Sequence, residues 1–402
     1  MKIAIVAPEF PPATGGMEVH ALQLSRYLHR VHDVKVIAPC LQGDDVATDQ
    51  IPVLHRLRRQ FWLSVLTILR TLREDPPDVV LALNGGYAVL GRLTSYPLAV
   101  RVVGNDFYAS WVGPHLPLRW LFWRLPVDGA PSPGRWLRGA DQRFRNRMVA
   151  WGLASSRCIL ANSNFTAQAL VRAGIYGADV RVIVGGVDTA LFQPRPRAAA
   201  RARLGLPEGP IVATFGHLKA KKGIDTALET VRILAAQHRG LTYLVIGDGE
   251  DEAQLRAHAR SLGVGMQVHF LGRKAHAELP HYLAACDVYL QSSRTAYNPV
   301  TGVPDVETMG RAACEASACG IPVVATDSGG LPDVVQPETT GLLVPENEPE
   351  VMARAVDRLL QDSTLRERMG RQGAAYAQQH FSWETVGQRT EQALHAAAAT
   401  VA

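Results

Sequence analysis

The chain has 402 residues, enough for two substantial cores, and its 47% hydrophobic and 20% charged residues are the balance of an ordinary soluble globular protein. No run approaches the ~18 uninterrupted apolar residues of a membrane span, and five scattered cysteines (Cys40, Cys158, Cys286, Cys314, Cys319) without a C-x-x-C pair argue against a disulfide framework or a zinc site. The net charge of +5 is uneven: residues 1–190 hold 21 Lys+Arg and 14 Asp+Glu, or +7, and the remainder holds 21 and 23, or −2, so attraction to an anionic surface, most simply membrane phosphates, is expected of the first half.

The N-terminus enters a strand directly as MKIAIVAP, so no signal peptide is read and a reducing cytoplasm is the expected compartment. Strand-like runs then alternate with helical patterns: 2–8, 34–39, 78–83, 98–104, 158–163 and 180–186, and, in a second series, IVATFGH (211–217), TYLVIGDG, VHFLG, VYLQSS and PVVATDS. Such alternation predicts parallel α/β layers. The Pro- and Arg-rich stretch 192–210 reads as the linker between two Rossmann-like domains with parallel sheets facing a central cleft, and ligands in such sheets sit at the C-terminal strand ends. The expected division is 1–192, 193–380 and a last helix, 381–402.

Chemistry concentrates in ETMGRAACE (307–315), which continues as ASACGIPVVATDSGGLP. Read as helical, the segment sets Glu307 and Glu315 roughly 12 Å apart, about the span from a nucleotide's ribose to a sugar beyond its pyrophosphate. The N–H groups of Met309, Gly310 and Arg311 at the helix start would meet phosphates. Taken alone, the spacing is equally that of a surface helix carrying two glutamates; the following helix, Gly stop, buried strand and Gly-rich turn favour the phosphate reading. FGHLKAKKGIDTAL (215–228) ends a strand in a turn crowded by Lys219, Lys221 and Lys222, where cations can neutralise a pyrophosphate leaving group, although a lysine-rich surface turn has the same composition.

With E-x7-E and its sequel, the chain resembles the retaining glycosyltransferases of family 4, which have the GT-B fold. ANSNFTAQALVRAG and VRVIVGGVDTALFQP are similar to further pieces of that family, VIGDGEDEAQL resembles its G-x-G-x-E turn, and FSWETVGQRTEQAL resembles a last helix that crosses back to the first domain. The resemblance implies a nucleotide-diphosphate sugar (UDP- or GDP-sugar) as donor. It places Glu307 on sugar hydroxyls, Glu315 on the ribose, and Lys222, then Lys219, then His217 on the phosphates, with Gly15 and Gly16 against the diphosphate from the other domain. Two positions depart from the commonest pattern: His217 stands where Arg is frequent, and Val103 where His is frequent.

In RVVGNDFY, Asp106 is a candidate for acceptor contact or general base, with helix capping as the plain alternative. No second carboxylate is implied across the ring, so front-face retaining transfer is inferred, the leaving phosphate helping to deprotonate the acceptor. No His/Asp cluster has metal-ligand spacing and no D-x-D lies at a strand end, so transfer without a metal or cofactor is expected. No G-x-G-x-x-G follows the first strand, which argues against a nicotinamide enzyme.

Between 107 and 147, Trp111, Trp120, Trp123 and Trp136 interleave with seven arginines from Arg119 to Arg147, a composition that suits an anionic membrane surface, a soluble-acceptor pocket or core packing. Nucleic acid is not expected as a partner, because nothing resembles a recognised binding module. The long connection 293–310 places Tyr297 and Asn298 as acceptor candidates, and Asp305 resembles the Asp of insertions ending in D-x-E-G in relatives that act on lipid-linked glycans or phosphoinositide-type lipids. The resulting expectation is a retaining hexosyltransferase acting on a lipid-linked or cell-surface glycan at the inner face of the cell membrane. Transfer to a small soluble acceptor, such as a natural product or aminocyclitol, and a nucleotide-sugar-binding protein without turnover are the alternatives.

Overall fold

The computed structural model describes residues 1–11, 16–39, 51–58, 60–104, 133–297 and 304–399, with side chains from 140 onward in the helix that begins at 133. The chain divides into two compact units: Met1–Ile183 with Asn298–Val303 and Val386–Ala402, and Val184–Tyr297 with Pro304–Thr385. The sequence reading divides the chain at 192/193 and 380/381.

The first unit holds strands β1 (Lys2–Val6), β2 (Asp33–Pro39), β3 (Val53–Leu57), β4 (Val79–Ala82), β5 (Leu98–Val102), β6 (Cys158–Ala161) and β7 (Asp179–Val182), in the order β3-β2-β1-β4-β5-β6-β7. All of these neighbours pair in parallel. The second holds β8 (Ile211–Phe215), β9 (Thr242–Ile246), β10 (Val268–Phe270), β11 (Val288–Gln291), a two-stranded antiparallel hairpin of β12 (Ala296–Tyr297) and β13 (Pro304–Asp305), then β14 (Val323–Thr326) and β15 (Gly341–Val344). Its parallel sheet runs β10-β9-β8-β11-β14-β15, the same winding as the first unit with one strand fewer.

The strands form where the sequence is apolar on both faces. Along β8, Val212 packs into one core with Tyr243, Val288 and Val324, while Ile211, Ala213 and Phe215 pack into another with Leu244, Tyr289 and Val323. Side chains alternate across a strand, so both faces of this sheet are covered by helices, which is what a parallel sheet requires. The first unit obeys the same rule, with Ala4 and Val6 in the core beside the helices while Ile3 and Ile5 are buried on the opposite face.

Sequence patterning misses two edge strands. β3, VLHRL, exposes His55 and Arg56, so its apolar run is interrupted, and β15 is only four residues long. The stretch 192–210 is not a free linker. It contains the helix Arg197–Leu204, whose Ala200 packs on Ala284 and Ala285, and Arg197 and Arg201 reach the two oxygens of Asp287 at 2.9 and 2.8 Å. Two of its arginines hold a buried carboxylate, a role that composition alone does not show. Among the described residues, no helix is long and apolar enough to cross a membrane.

Candidate active site

The strand order of the second sheet reverses at β8, with β9 on one side and β11 on the other, which makes the C-terminal ends of β8 and β11 its topological switch point. The chain leaving β8 turns through Gly216, His217 and Leu218 into a short 3-10 turn, Ala220–Lys222, and then into the helix Ile224–Ala235. The chain leaving β11 meets it: the Ser292 hydroxyl donates to the Lys222 carbonyl at 3.0 Å, and Arg294 N–H donates to the Lys221 carbonyl at 2.8 Å. Gly223 makes that meeting feasible. Its φ is +59°, and a Cβ there would lie 2.0 Å from the Ser292 carbonyl oxygen.

All three lysines of this turn face residues 305–307. Lys219 Nζ lies 2.9 Å from Asp305 Oδ2; Lys221 Nζ lies 3.0 Å from Asp305 Oδ1 and donates to the Val306 carbonyl at 3.1 Å; Lys222 Nζ lies 2.5 Å from Glu307 Oε2. The other Glu307 oxygen accepts from the Gly310 N–H at 3.3 Å. The main chain of Glu307 is also fixed: its carbonyl accepts from Gly330 N–H at 2.9 Å, and Gly329, at φ +56°, passes so close that a Cβ would lie 2.1 Å from that oxygen. The Gly-rich turn after β14, read from sequence as a phosphate edge, thus holds Glu307 in place.

The electrostatics follow from this geometry. Burial pushes the Glu307 carboxyl up, but the charges of Lys222 and Lys221, the Lys222 hydrogen bond and the Gly310 N–H outweigh it and hold the group below the usual carboxylate range. Asp305 is likewise raised by burial and brought below that range by Lys221 and Lys219. Both carboxylates are therefore ionised at neutral pH. Three ammonium groups and two carboxylates form one paired array at the switch point.

Glu315 occupies the second turn of the helix Arg311–Ala318 and is buried, with Oε1 3.1 Å from His276 Nε2 and 3.5 Å from Arg311 Nε. His276 packs against the Phe192 ring at 5.0 Å between centroids. The helix begins only at Arg311, behind Gly310, so residues 307–310 are not helical and the helical-rise estimate does not apply between the two glutamates. Nor is the Gly310 N–H free for a phosphate in this state, since Glu307 takes it. Met309 is partly buried against the core.

His217 is 53% exposed at its side chain and pairs with Glu250 at 2.9 Å, while Leu218 N–H donates to the Asp248 carbonyl at 2.8 Å, so the turns after β8 and β9 are stitched together. Gly16 opens the helix Gly16–His29 of the first unit. Tyr297 is exposed on β12. Gly15, Asp106 and Asn298 lie outside the described residues, as do Trp111, Trp120 and Trp123. Sequence reasoning missed His276 as the partner of Glu315 and Asp305 as the partner of two lysines. Asp305 was legible in principle, because it and Glu307 alternate across Val306 at the end of a short strand.

The chain belongs to glycosyltransferase family 4, the glycosyl transferases group 1, and has the GT-B fold. Family models described as "Glycosyltransferase Family 4" and "Glycosyl transferases group 1" match residues 14–191 and 196–376. It is 35% identical over 422 residues to a D-inositol 3-phosphate glycosyltransferase of Streptomyces bingchenggensis, covering 96% of this chain and 86% of that one. It is 28% identical over 401 residues, 96% of each chain, to a GDP-mannose-dependent alpha-(1-6)-phosphatidylinositol monomannoside mannosyltransferase of Mycobacterium tuberculosis. Among solved structures, Anabaena HepE in complex with UDP superposes with a TM-score of 0.72 at 23% identity, covering 98% of this chain and 100% of that one. The protein is a glycosyltransferase.

Proposed function

We propose that this enzyme transfers a hexose from a nucleotide-diphosphate sugar to a hydroxyl of a lipid-linked acceptor, with retention of anomeric configuration and without a metal ion. The observation that carries the donor half is the lysine array at the switch point. A diphosphate arriving there would take over the ammonium groups of Lys219, Lys221 and Lys222 from Asp305 and Glu307, and those cations would offset the charge that grows on the leaving phosphate. Glu307, released from Lys222 and fixed through its main chain, would accept hydrogen bonds from sugar hydroxyls. Glu315, with His276 beside it, is the ribose candidate. Both Glu307 oxygens are engaged as acceptors before the donor arrives, which suits a positioning carboxylate better than the nucleophile of a double displacement, so retention would proceed by transfer on the front face of the sugar.

The mannosyltransferase relative favours GDP-mannose as the first donor to test, with UDP-sugars next because of the HepE complex. A lipid-linked acceptor is supported by that relative's name and by the helix Phe61–Glu74. Its buried face is Phe61, Ser64, Val65, Ile68, Thr71 and Leu72. Its outer face exposes Trp62, Leu63 and Leu66, the last by 62%, beside exposed Arg58, Arg70 and Arg73. Apolar and aromatic side chains with arginines beside them fit a headgroup region, and this surface would bring the enzyme to the inner face of the cell membrane. A second reading, transfer to a small soluble inositol phosphate, is favoured by the Streptomyces relative.

The test is transfer by the purified chain from GDP-mannose, and then UDP-sugars, to phosphatidylinositol vesicles or to soluble inositol phosphate, with chelator present and absent. Product anomers are read by NMR before they equilibrate. Labelled lipid that keeps the donor's configuration and forms in chelator supports the proposal; label confined to inositol phosphate supports the second reading. An inverted product, or one abolished by chelator, overturns the mechanism.

A further inference from the structure

We propose that the first unit carries a Zn²⁺ site formed by His32, Glu391 and His395, separate from the lysine array. His32 sits in the turn between the helix Gly16–His29 and β2, and its side chain is only 7% exposed. Glu391 and His395 are one turn apart on the last helix, Trp383–Ala399. His32 Nε2 lies 3.0 Å from Glu391 Oε1, His395 Nε2 lies 3.8 Å from the same oxygen, and one ligand atom from each residue falls within 4.8 Å of the others. A tetrahedral zinc with bonds of about 2.0–2.1 Å sets its ligands about 3.4 Å apart. The observed separations straddle that value.

Two further features point to a built site. Gly387, Glu391 and His395 form one stripe along the last helix at intervals of four residues, the spacing that aligns side chains on one helix face. Gly387 lets the Tyr27 ring lie flat against the helix, since a Cβ there would be 2.2 Å from Tyr27 Cγ. One turn on, the Tyr27 hydroxyl donates to Glu391 Oε2 at 3.4 Å, which holds the carboxylate with its other oxygen toward the two imidazoles. The imidazole rings stand edge to face, 5.5 Å between centroids. A carboxylate held by an outer partner and facing two histidines is the arrangement in which second-shell contacts orient metal ligands.

Two imidazoles and one carboxylate select zinc over calcium or magnesium, which take oxygen ligands, and leave a fourth position to water on the exposed His395 side. The ion would bind the last helix to the turn before β2. Motif reading does not find such a cluster, because 359 positions separate His32 from Glu391.

The experiment uses the full chain without an affinity tag, stripped with chelator, and titrated with Zn²⁺ against a chromophoric competitor while the melting temperature is followed. Co²⁺ is substituted to read its visible d–d bands. One tight equivalent, a higher melting temperature with zinc, tetrahedral-type Co²⁺ bands, and loss of all three in His395→Ala are expected, with affinity falling by more than the ~10–100-fold that loss of an outer-shell partner costs. His395 is 55% exposed, so the variant should fold and melt like the stripped parent. If His395→Ala keeps the same stoichiometry and affinity, or the parent binds no equivalent more tightly than a scatter of surface histidines, the site does not exist. Calcium and magnesium should leave the melting temperature unchanged; a rise with either would overturn the assignment to zinc.

Discussion

The two units share one winding and carry different loads. In the second, the reversal of strand order is filled with paired charge: three lysines from the β8 turn meet Asp305 and Glu307. In the first, the same winding supports a helix, Phe61–Glu74, whose outer face leaves Trp62, Leu63 and Leu66 uncovered beside arginines. Topology thus decides where a ligand can sit, and the few residues leaving each strand decide what it can be.

The comparison breaks most sharply at Lys222. Lys222→Ala removes the nearest cation and strands the ionised Glu307, so kcat/KM for the donor should fall about 10²–10³-fold while vesicle sedimentation is unchanged. Steady-state kinetics beside a liposome spin-down would check both halves, and near-normal turnover would remove Lys222 from its assigned role. Gly223→Ala should destabilise the second unit by about 2–4 kcal/mol in urea unfolding, because it combines positive φ with a 2.0 Å collision on the Ser292 carbonyl. An unchanged urea midpoint would mean that the β8 and β11 turns are not locked together.

Acid should sharpen the contrast further. Glu307 and Asp305 are held below the usual range in the folded state, so their pairs contribute stability that is present above the unfolded carboxylate values of about 4 and is lost as pH falls through the folded ones. Melting temperatures between about pH 6 and pH 3 should therefore drop less steeply for Glu307→Gln than for the parent, and parallel curves would remove Glu307 from the acid response. The smallest effect is expected from Trp62→Ser with Leu66→Ser. Binding to anionic vesicles should weaken several-fold, with stability within about 0.5 kcal/mol of the parent and donor turnover in detergent unchanged, since both residues are exposed. Unchanged sedimentation would leave the helix without a membrane role.

Much of the fold was legible because parallel strands buried on both faces read as unbroken apolar runs, as in KIAIV and IVATF. β3 escaped because an edge strand needs apolar character on fewer positions, whereas β15, GLLV, escaped although it is apolar and mostly buried. Within the candidate site, Lys219, Lys222, Glu307 and Glu315 stood in motifs, whereas the contacts they make did not. His276 reaches Glu315 across 39 positions, and Lys219 reaches Asp305 across 86. Spacing in a sequence reports neighbours on one helix or strand; it is silent on what two loops from different strands bring together. That silence also explains why a segment rich in Pro and Arg read as linker when two of its arginines, Arg197 and Arg201, in fact clasp Asp287.

The last helix gives the molecule an order of assembly. It starts at Trp383, within the second unit, and from Val386 on it belongs to the first, where Gly387 receives Tyr27. During synthesis at about 5–20 residues per second, the unit whose strands emerge earliest would wait roughly 10–40 s, the time to translate everything after Ile183, for the segment that seats on Tyr27. The later-made unit has all of its strands before that point, so the half of the enzyme translated first is the half completed last.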